Sequence, residues 1–282
     1  MMDTFDLPMV RDLVRHALAE DVGAGDLTTR LTVAPAARAR AEIAARESCV
    51  VAGLPLIRTV CEFAGGGVEI TECVAEGTGV GPGDVLARLA GKARVLLTSE
   101  RVLLNFVQRL SGIATLTARF VAAVSGCGCR IADTRKTTPG LRVLEKYAVR
   151  VGGGFNHRMR LDDGILIKDN HITAAGGLSA AVAAARVGAP HGMKIEVECS
   201  TLSEVAEALE AKAEVILLDN MSVETLTRAA RRIGGRAIIE ASGGVTLDNV
   251  RAIASTGVDI ISVGALTHSA PAIDLHMTLF LE

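Results

Sequence analysis

From Ile113 onward the chain alternates short β-branched runs with longer Ala/Leu-rich ones, and no other feature limits its possible folds as much. The strand-like runs are Arg130–Ala132, Ile165–Lys168, Met193–Glu198, Val215–Leu218, Ala237–Glu240 and Asp259–Val263. Between them lie helical patterns at Leu141–Val149, Ala174–Arg186, Leu202–Ala211, Val223–Ile233 and Leu247–Ser255. Strand, helix, strand at this spacing builds parallel βα units, either closed as a barrel or open as a doubly wound sheet. Side chains alternate along a strand, so Lys194, Glu196 and Glu198 fall on one face. Three charges on one face do not pack against helices. They can line a barrel interior, whose functional groups gather at the strand C-terminal ends. A barrel over residues 113–270 is therefore the expected closure.

Residues 1–112 read differently. A short amphipathic helix (Leu7–Glu20), strand-like runs at Ala41–Ala45 and Val68–Cys73, and turns at Gly65-Gly66-Gly67 and Gly81-Pro82-Gly83-Asp84 suggest an α+β module. The tail, Pro271–Glu282, lies past the last strand and is free to return to that module.

The remaining composition narrows the function. Thirty basic against 32 acidic residues leave a formal charge of −2, so no global field draws the chain to nucleic acid or to an anionic membrane. Six Phe, one Tyr and no Trp leave little surface for stacking bases. No apolar run reaches the roughly 18 residues that span a bilayer. The stretch Met1–Arg11 has no basic region followed by an apolar one, so a secretory signal is not expected and a cytoplasmic protein is. The six cysteines form no Cys-x-x-Cys pair, which argues against zinc and redox motifs and for reduced, mostly buried thiols.

The densest chemical signal runs from Asp133 to His171. Between Arg135 and Lys168 stand eight Lys/Arg against three acids. Arg142, Lys146 and Arg150 recur at helical spacing and fit a solvated helix face. The others do not: Arg135 and Lys136 follow a strand, His157 and Arg158 follow the Gly152-Gly153-Gly154 loop, and Lys168 ends a strand, which is where a barrel presents its site. Arginine pairs both oxygens of a carboxylate, so several converging cations imply a ligand with more than one anionic group. Ser242-Gly243-Gly244 and Gly264 follow the last two strands, where barrels hold phosphate on close-approaching backbone and helix N-termini. Glu198 and Asp219 end neighbouring strands and suit a magnesium ion with its waters, the hydroxyls of a sugar, or the neutralisation of nearby cations. Arg101 falls in the first turn of a helix that Ser99 would cap, where the dipole disfavours a cation by roughly 0.3–1 kcal/mol. An anionic ligand or a surface carboxylate would account for it.

Taken in order, SERVLLN (99–105), DTRKTTPG (133–140), NHR (156–158), KDNH (168–171), IEVECS (195–200), LLDN (217–220) and EASGG (240–244) closely resemble the quinolinate phosphoribosyltransferase family over nearly the whole chain. The resemblance implies an α/β fold of type II phosphoribosyltransferase kind: an N-terminal α/β sandwich module (1–112) completed by the tail (271–282), and an incomplete parallel α/β barrel (113–270). It implies a homodimer as the least unit, with Arg101 entering the neighbouring subunit's pocket. Arg135, His157, Arg158 and Lys168, with that Arg101, match the quinolinate-binding set. Lys136, Glu198, Asp219, Ser242, Gly243, Gly244 and Gly264 match the surroundings of 5-phosphoribosyl 1-diphosphate and magnesium, with Lys136, Lys168, Glu198 and Asp219 expected to carry the chemistry. Two other readings use the same residues: a Schiff-base aldolase built on Lys168, and a non-catalytic anion-binding barrel.

Overall fold

The computed structural model describes Thr4–Leu281; residues 1–3 and 282, where the first module begins and the tail ends, lie outside the described residues. Along the chain run α1 (Pro8–Val22), α2 (Leu27–Thr32), β1 (Arg38–Ala45), β2 (Cys49–Val50), α3 (Leu56–Phe63), β3 (Val68–Cys73), β4 (Gly79–Val80), β5 (Val85–Lys92) and α4 (Ala93–Ala123). Then come β6 (Arg130–Ala132), α5 (Arg142–Val151), β7 (Ile165–Ile167), α6 (Asp169–Ala175), α7 (Leu178–Gly188), β8 (Ile195–Cys199), α8 (Leu202–Glu210) and β9 (Val215–Asp219). The last are α9 (Val223–Ile233), β10 (Ile238–Ser242), α10 (Val250–Ala254), β11 (Ile260–Ser262), α11 (Ala265–His268) and β12 (Leu275–Leu281). None of these helices is long and apolar enough to cross a membrane.

The described chain divides into two compact units. One takes in the residues up to Ala118 together with Thr138–Gly153 and those from Ser269 on; the other holds Arg119–Thr137 and Gly154–His268. In the first unit an antiparallel sheet of order β12-β1-β5-β3 forms, and the tail is its edge strand, with Ala39 opposite Leu281 and Ala45 opposite Leu275. Alternation sets the buried face of β1: Ala39, Ala41 and Ile43 are buried while Arg38 and Arg40 are exposed.

Two helical expectations change here. The helix bearing Arg101 starts at Ala93, six residues before Ser99, so Ser99 caps nothing. It is buried within α4 and donates its hydroxyl to the Leu96 carbonyl, and Arg101 therefore sits beyond the first turn with no dipole penalty to explain. In α5 the expected solvated face holds only in part: Arg150 is exposed and Arg142 half-buried, but Lys146 between them is fully buried, as is Glu145, alongside Leu144, Ala148 and Val149. Glu145 binds Arg109 through Nε and Nη2, at 3.2 and 2.8 Å, and accepts from the Thr138 N–H and hydroxyl. Removing one member of a buried charged set strands the other. Glu145→Ala should cost about 3 kcal/mol of stability, read from the urea midpoint; a loss below about 1 kcal/mol would contradict this packing.

In the second unit the parallel sheet has the order β6-β11-β10-β9-β8-β7. Each strand from β8 to β11 lies beside its predecessor, as in a barrel, and β6 closes onto β11. Among the described residues no pairing joins β6 to β7, and the outer edge of β6 carries only a one-residue bridge from Ala132 to Phe155. The barrel is thus incomplete. Its curvature follows from one set of distances: His157, two residues beyond that bridge, places its Nε2 3.3 Å from Glu196 on β8 and 3.6 Å from Glu240 on β10. In a flat sheet with strands about 4.8 Å apart, β8 would lie more than 20 Å from that edge.

The boundaries differ locally. The helix expected over Ala174–Arg186 is two helices, broken at Gly176 and Gly177, whose φ values of +82° and +144° suit glycine alone. Lys194 precedes β8 and is exposed at its N-terminal end, so only Glu196 and Glu198 of the three expected charges lie on the strand's inner face.

Candidate active site

Six strand ends deliver the expected residues to one place. Arg135 and Lys136 follow β6, His157 and Arg158 follow the Phe155 bridge, Lys168 follows β7, Glu198 lies in β8, Asp219 ends β9, Ser242 ends β10 and Gly264 follows β11. All of them, with Gly243 and Gly244, line a cavity of about 560 Å³ at the C-terminal ends of the strands. Strand ends are good mounts because the ladder holds the last residue while the next leaves the sheet toward the axis. Arg101 is not part of this cavity; it is exposed on α4, in the other unit.

The cationic side is under strain that an anion would relieve. Burial first, and then the like charge of Arg135, hold the Arg158 guanidinium below its ordinary range, with Glu196 and Asp163 pulling it back up. Arg158 donates from Nη1 to the Gly164 carbonyl at 2.9 Å, while its Nε is buried without a hydrogen-bond partner. A buried guanidinium N–H without a protein acceptor is a donor that suits an anionic ligand. Lys168 reaches Glu198 at 2.5 Å, so the ammonium is already charge-paired while remaining half-exposed.

The opposite side is built from backbone. Gly243 (φ +92°) and Gly244 (φ +59°) turn the chain immediately after β10, and Asn220 N–H bonds the Ser242 carbonyl at 2.9 Å. A Cβ on Gly243 would fall 2.2 Å from Asn220 Oδ1 and 2.9 Å from the Asn220 nitrogen. The helices expected to add dipole here are short: α10 has five residues and begins only at Val250, and α11 has four. The loop N–H groups, rather than a macrodipole, are what this side offers an anion. Lys136 is fixed by its own backbone, which accepts from the Thr267 hydroxyl at 2.7 Å and donates to Thr134 Oγ1 at 3.0 Å.

At the wall of the cavity, which His157 and Glu240 both line, His157, Glu196 and Glu240 bring their ligating atoms within 4.8 Å of one another, the one such group of three among the described residues. The neighbouring Arg158 already matches this negative charge, so the group reads as a charge network. Burial, then the charge of Glu196, pushes the Glu240 carboxyl up to about 7, against the pull of His157. The folded protein then holds a proton between the ordinary value of 4.5 and about 7 that the unfolded chain has released. Stability should fall as pH rises through that window and level off above it. Glu240→Gln should flatten the dependence of the urea midpoint between about pH 5 and 7.5; an unchanged slope would refute the assignment.

Glu196 and Glu240 were not among the expected site residues, although Glu196 stood on the inward face and Glu240 opens the EASGG stretch. Asp133 was also passed over. It is fully buried, and its carboxylate accepts the His157 N–H at 2.9 Å and the Asn156 amide at 2.6 Å. No thiol belongs to the site. Cys49, Cys61 and Cys199 are buried, with Cys199 pushed up to about 12 by burial, while Cys73 is exposed and Cys127 and Cys129 are partly so, fewer buried than expected.

The comparisons with known proteins agree with this geometry. Residues 26–111 match the N-terminal domain, and 113–278 the C-terminal domain, of quinolinate phosphoribosyl transferase. A protein of Synechocystis sp. named probable nicotinate-nucleotide pyrophosphorylase (carboxylating) is 47% identical over 265 residues, covering 93% of this chain and 90% of that protein. The Mycobacterium leprae nicotinate-nucleotide pyrophosphorylase (carboxylating) is 42% identical over 285 residues, covering 99% and 100%. The crystal structure of NadC from Streptococcus pyogenes superposes with a TM-score of 0.94 at 40% identity, covering 100% of this chain and 99% of the other.

Proposed function

Because this chain belongs to the quinolinate phosphoribosyl transferase family, we infer that it transfers phosphoribosyl from 5-phosphoribosyl 1-diphosphate to quinolinate, with decarboxylation. The products are nicotinate mononucleotide, diphosphate and carbon dioxide, a step of NAD biosynthesis. The observation that carries the reading onto these residues is the single cavity in which four cations and His157 face three carboxyl groups, Glu198, Asp219 and Glu240, and two glycine turns.

Arg135, Arg158 and Lys168, with His157, take the two carboxylates of quinolinate, and the open Arg158 Nε supports that role. Lys136, Glu198, Asp219, Ser242, Gly243, Gly244 and Gly264 surround the sugar diphosphate. The ribose C1 gains oxocarbenium character as diphosphate leaves, so Lys136 stabilises the departing charge while Glu198 or Asp219 favours the positive sugar. Attack by the pyridine nitrogen makes the ring cationic; when carbon dioxide departs, the electron pair left at C2 is stabilised by the adjacent cationic nitrogen and takes up a proton from solvent, giving the C2–H of the product. No protein nucleophile is needed; the pocket mainly holds two anions together that would repel in water. The hard oxygens of Glu198 and Asp219, at the ends of adjacent strands of this cavity, fit magnesium, which when bound would neutralise diphosphate charge.

A homodimer completes the proposal, with Arg101 supplied to the neighbouring subunit's cavity, in a cytoplasmic protein whose first domain is 1–112 with the tail 271–282 and whose barrel is 113–270. The exposure of Arg101 on α4 is consistent with that role. A Schiff-base aldolase is not favoured: that chemistry needs a desolvated neutral lysine, and Lys168 is half-exposed and paired to Glu198.

The deciding experiment supplies quinolinate, 5-phosphoribosyl 1-diphosphate and magnesium together and measures nicotinate mononucleotide and carbon dioxide. Equimolar formation of both is expected. Saturable binding without carbon dioxide release would leave only an anion-binding barrel.

A further inference from the structure

We propose that Asp133 is a positioning residue for quinolinate, its buried carboxylate extending the parallel ladder of β6 by one step so that His157 and Arg158 are held in register with Arg135. The proposal rests on the reading of this cavity as the quinolinate site. At the edge of β6 the segment beginning at Phe155 is stitched on by backbone bonds, Phe155 N–H to the Ile131 carbonyl at 2.8 Å and Asp133 N–H to the Phe155 carbonyl at 3.1 Å. The next acceptor in a parallel ladder would be the Asp133 carbonyl, but beyond Ala132 the chain leaves the sheet to carry Arg135 and Lys136 into the cavity. The side chain of Asp133 takes over: Oδ1 accepts the His157 N–H and Oδ2 the Asn156 amide.

Past the Phe155 bridge, residues 156–158 belong to no helix or strand, so they have no ladder of their own to hold them. Among the bonds that hold them are the two from Asp133, the one from Arg158 Nη1 to the Gly164 carbonyl, and those of the His157 ring, whose Nδ1 accepts the Arg158 N–H at 2.8 Å and whose Nε2 faces Glu196 and Glu240. One carboxylate thus ties the strand end bearing Arg135 to the step bearing His157 and Arg158, three of the four quinolinate residues of this barrel. The phosphate loops after β10 and β11 are not attached to it by any of these bonds. Its loss should therefore separate the two substrates.

Asp133→Ala should raise the KM for quinolinate roughly thirtyfold, about the value of two hydrogen bonds to a buried carboxylate, while kcat and the KM for 5-phosphoribosyl 1-diphosphate stay within about threefold. Asp133→Asn should restore most of the affinity, because an amide turned to meet a turned Asn156 amide keeps both bonds. If Asp133→Ala does not yield folded protein, Asn156→Ala, at an exposed position, removes one of the two bonds and should raise the quinolinate KM about fivefold. An unchanged quinolinate KM, an equal rise in both KM values, or an Asn variant as impaired as the Ala variant would overturn the proposal. A parent protein that does not turn over quinolinate would instead overturn the reading of the site.

Discussion

Arg158→Ala should raise the KM for quinolinate by about two orders of magnitude, with the thermal midpoint barely moved. A charge-assisted hydrogen bond contributes about 1.5–3 kcal/mol, and a guanidinium that meets a carboxylate supplies more than one. A loss near 3 kcal/mol is roughly a hundredfold in affinity. The fold should tolerate the change because the native site holds Arg158 at a cost: burial and Arg135 both push its charge out. The single bond lost within the protein is the one from Nη1 to the Gly164 carbonyl. Steady-state kinetics with quinolinate varied, beside a melting curve, make the comparison. Unchanged quinolinate KM in a folded variant would remove Arg158 from the site.

For Gly243→Ala the expected loss falls on the other substrate. The new Cβ would lie inside contact distance of both the Asn220 side chain and its backbone nitrogen, at a φ of +92° that alanine adopts only under strain. Asn220 cannot simply swing aside, since its amide also bonds the Asp219 carboxylate at 2.7 Å. The disturbance therefore passes to Asp219 and to the Ser242 carbonyl that Asn220 N–H holds. The KM for 5-phosphoribosyl 1-diphosphate should rise on the order of tenfold to a hundredfold, with quinolinate binding much less affected. A parallel loss for both substrates would mean that the whole barrel mouth had collapsed, and that Gly243 has no special relation to the sugar diphosphate.

These two substitutions also separate what could be read along the chain from what could not. The β-branched runs located all six parallel strands to within a residue or two, because strand periodicity is a property of near neighbours. The residues just past those strands, Arg135, Lys136, Lys168, Asp219, Ser242 and Gly264, followed for the same reason: once a strand end is known, so is the side chain beside the barrel mouth. Where local pattern failed, packing had overruled it. Arg142, Lys146 and Arg150 have ideal spacing for a wet helix face, yet only Arg150 is exposed and Lys146 is fully buried. Ser99 has the chemistry of a cap, yet α4 runs straight through it.

Asp133, Glu196 and Glu240 mark the boundary most clearly. Glu196 and Glu240 were visible as acids in strand-like runs and Asp133 as an acid just past one, and nothing nearby in the chain gives any of them a partner. Asp133 finds His157 across 24 positions, and His157 finds Glu196 and Glu240 from an edge that a flat sheet would hold more than 20 Å from β8. The order of chemical groups around the mouth was written in the chain because turns and alternation act over a few residues. Their convergence required the sheet to curl, and curling is a balance of twist and packing summed over every strand, which no short stretch of residues contains.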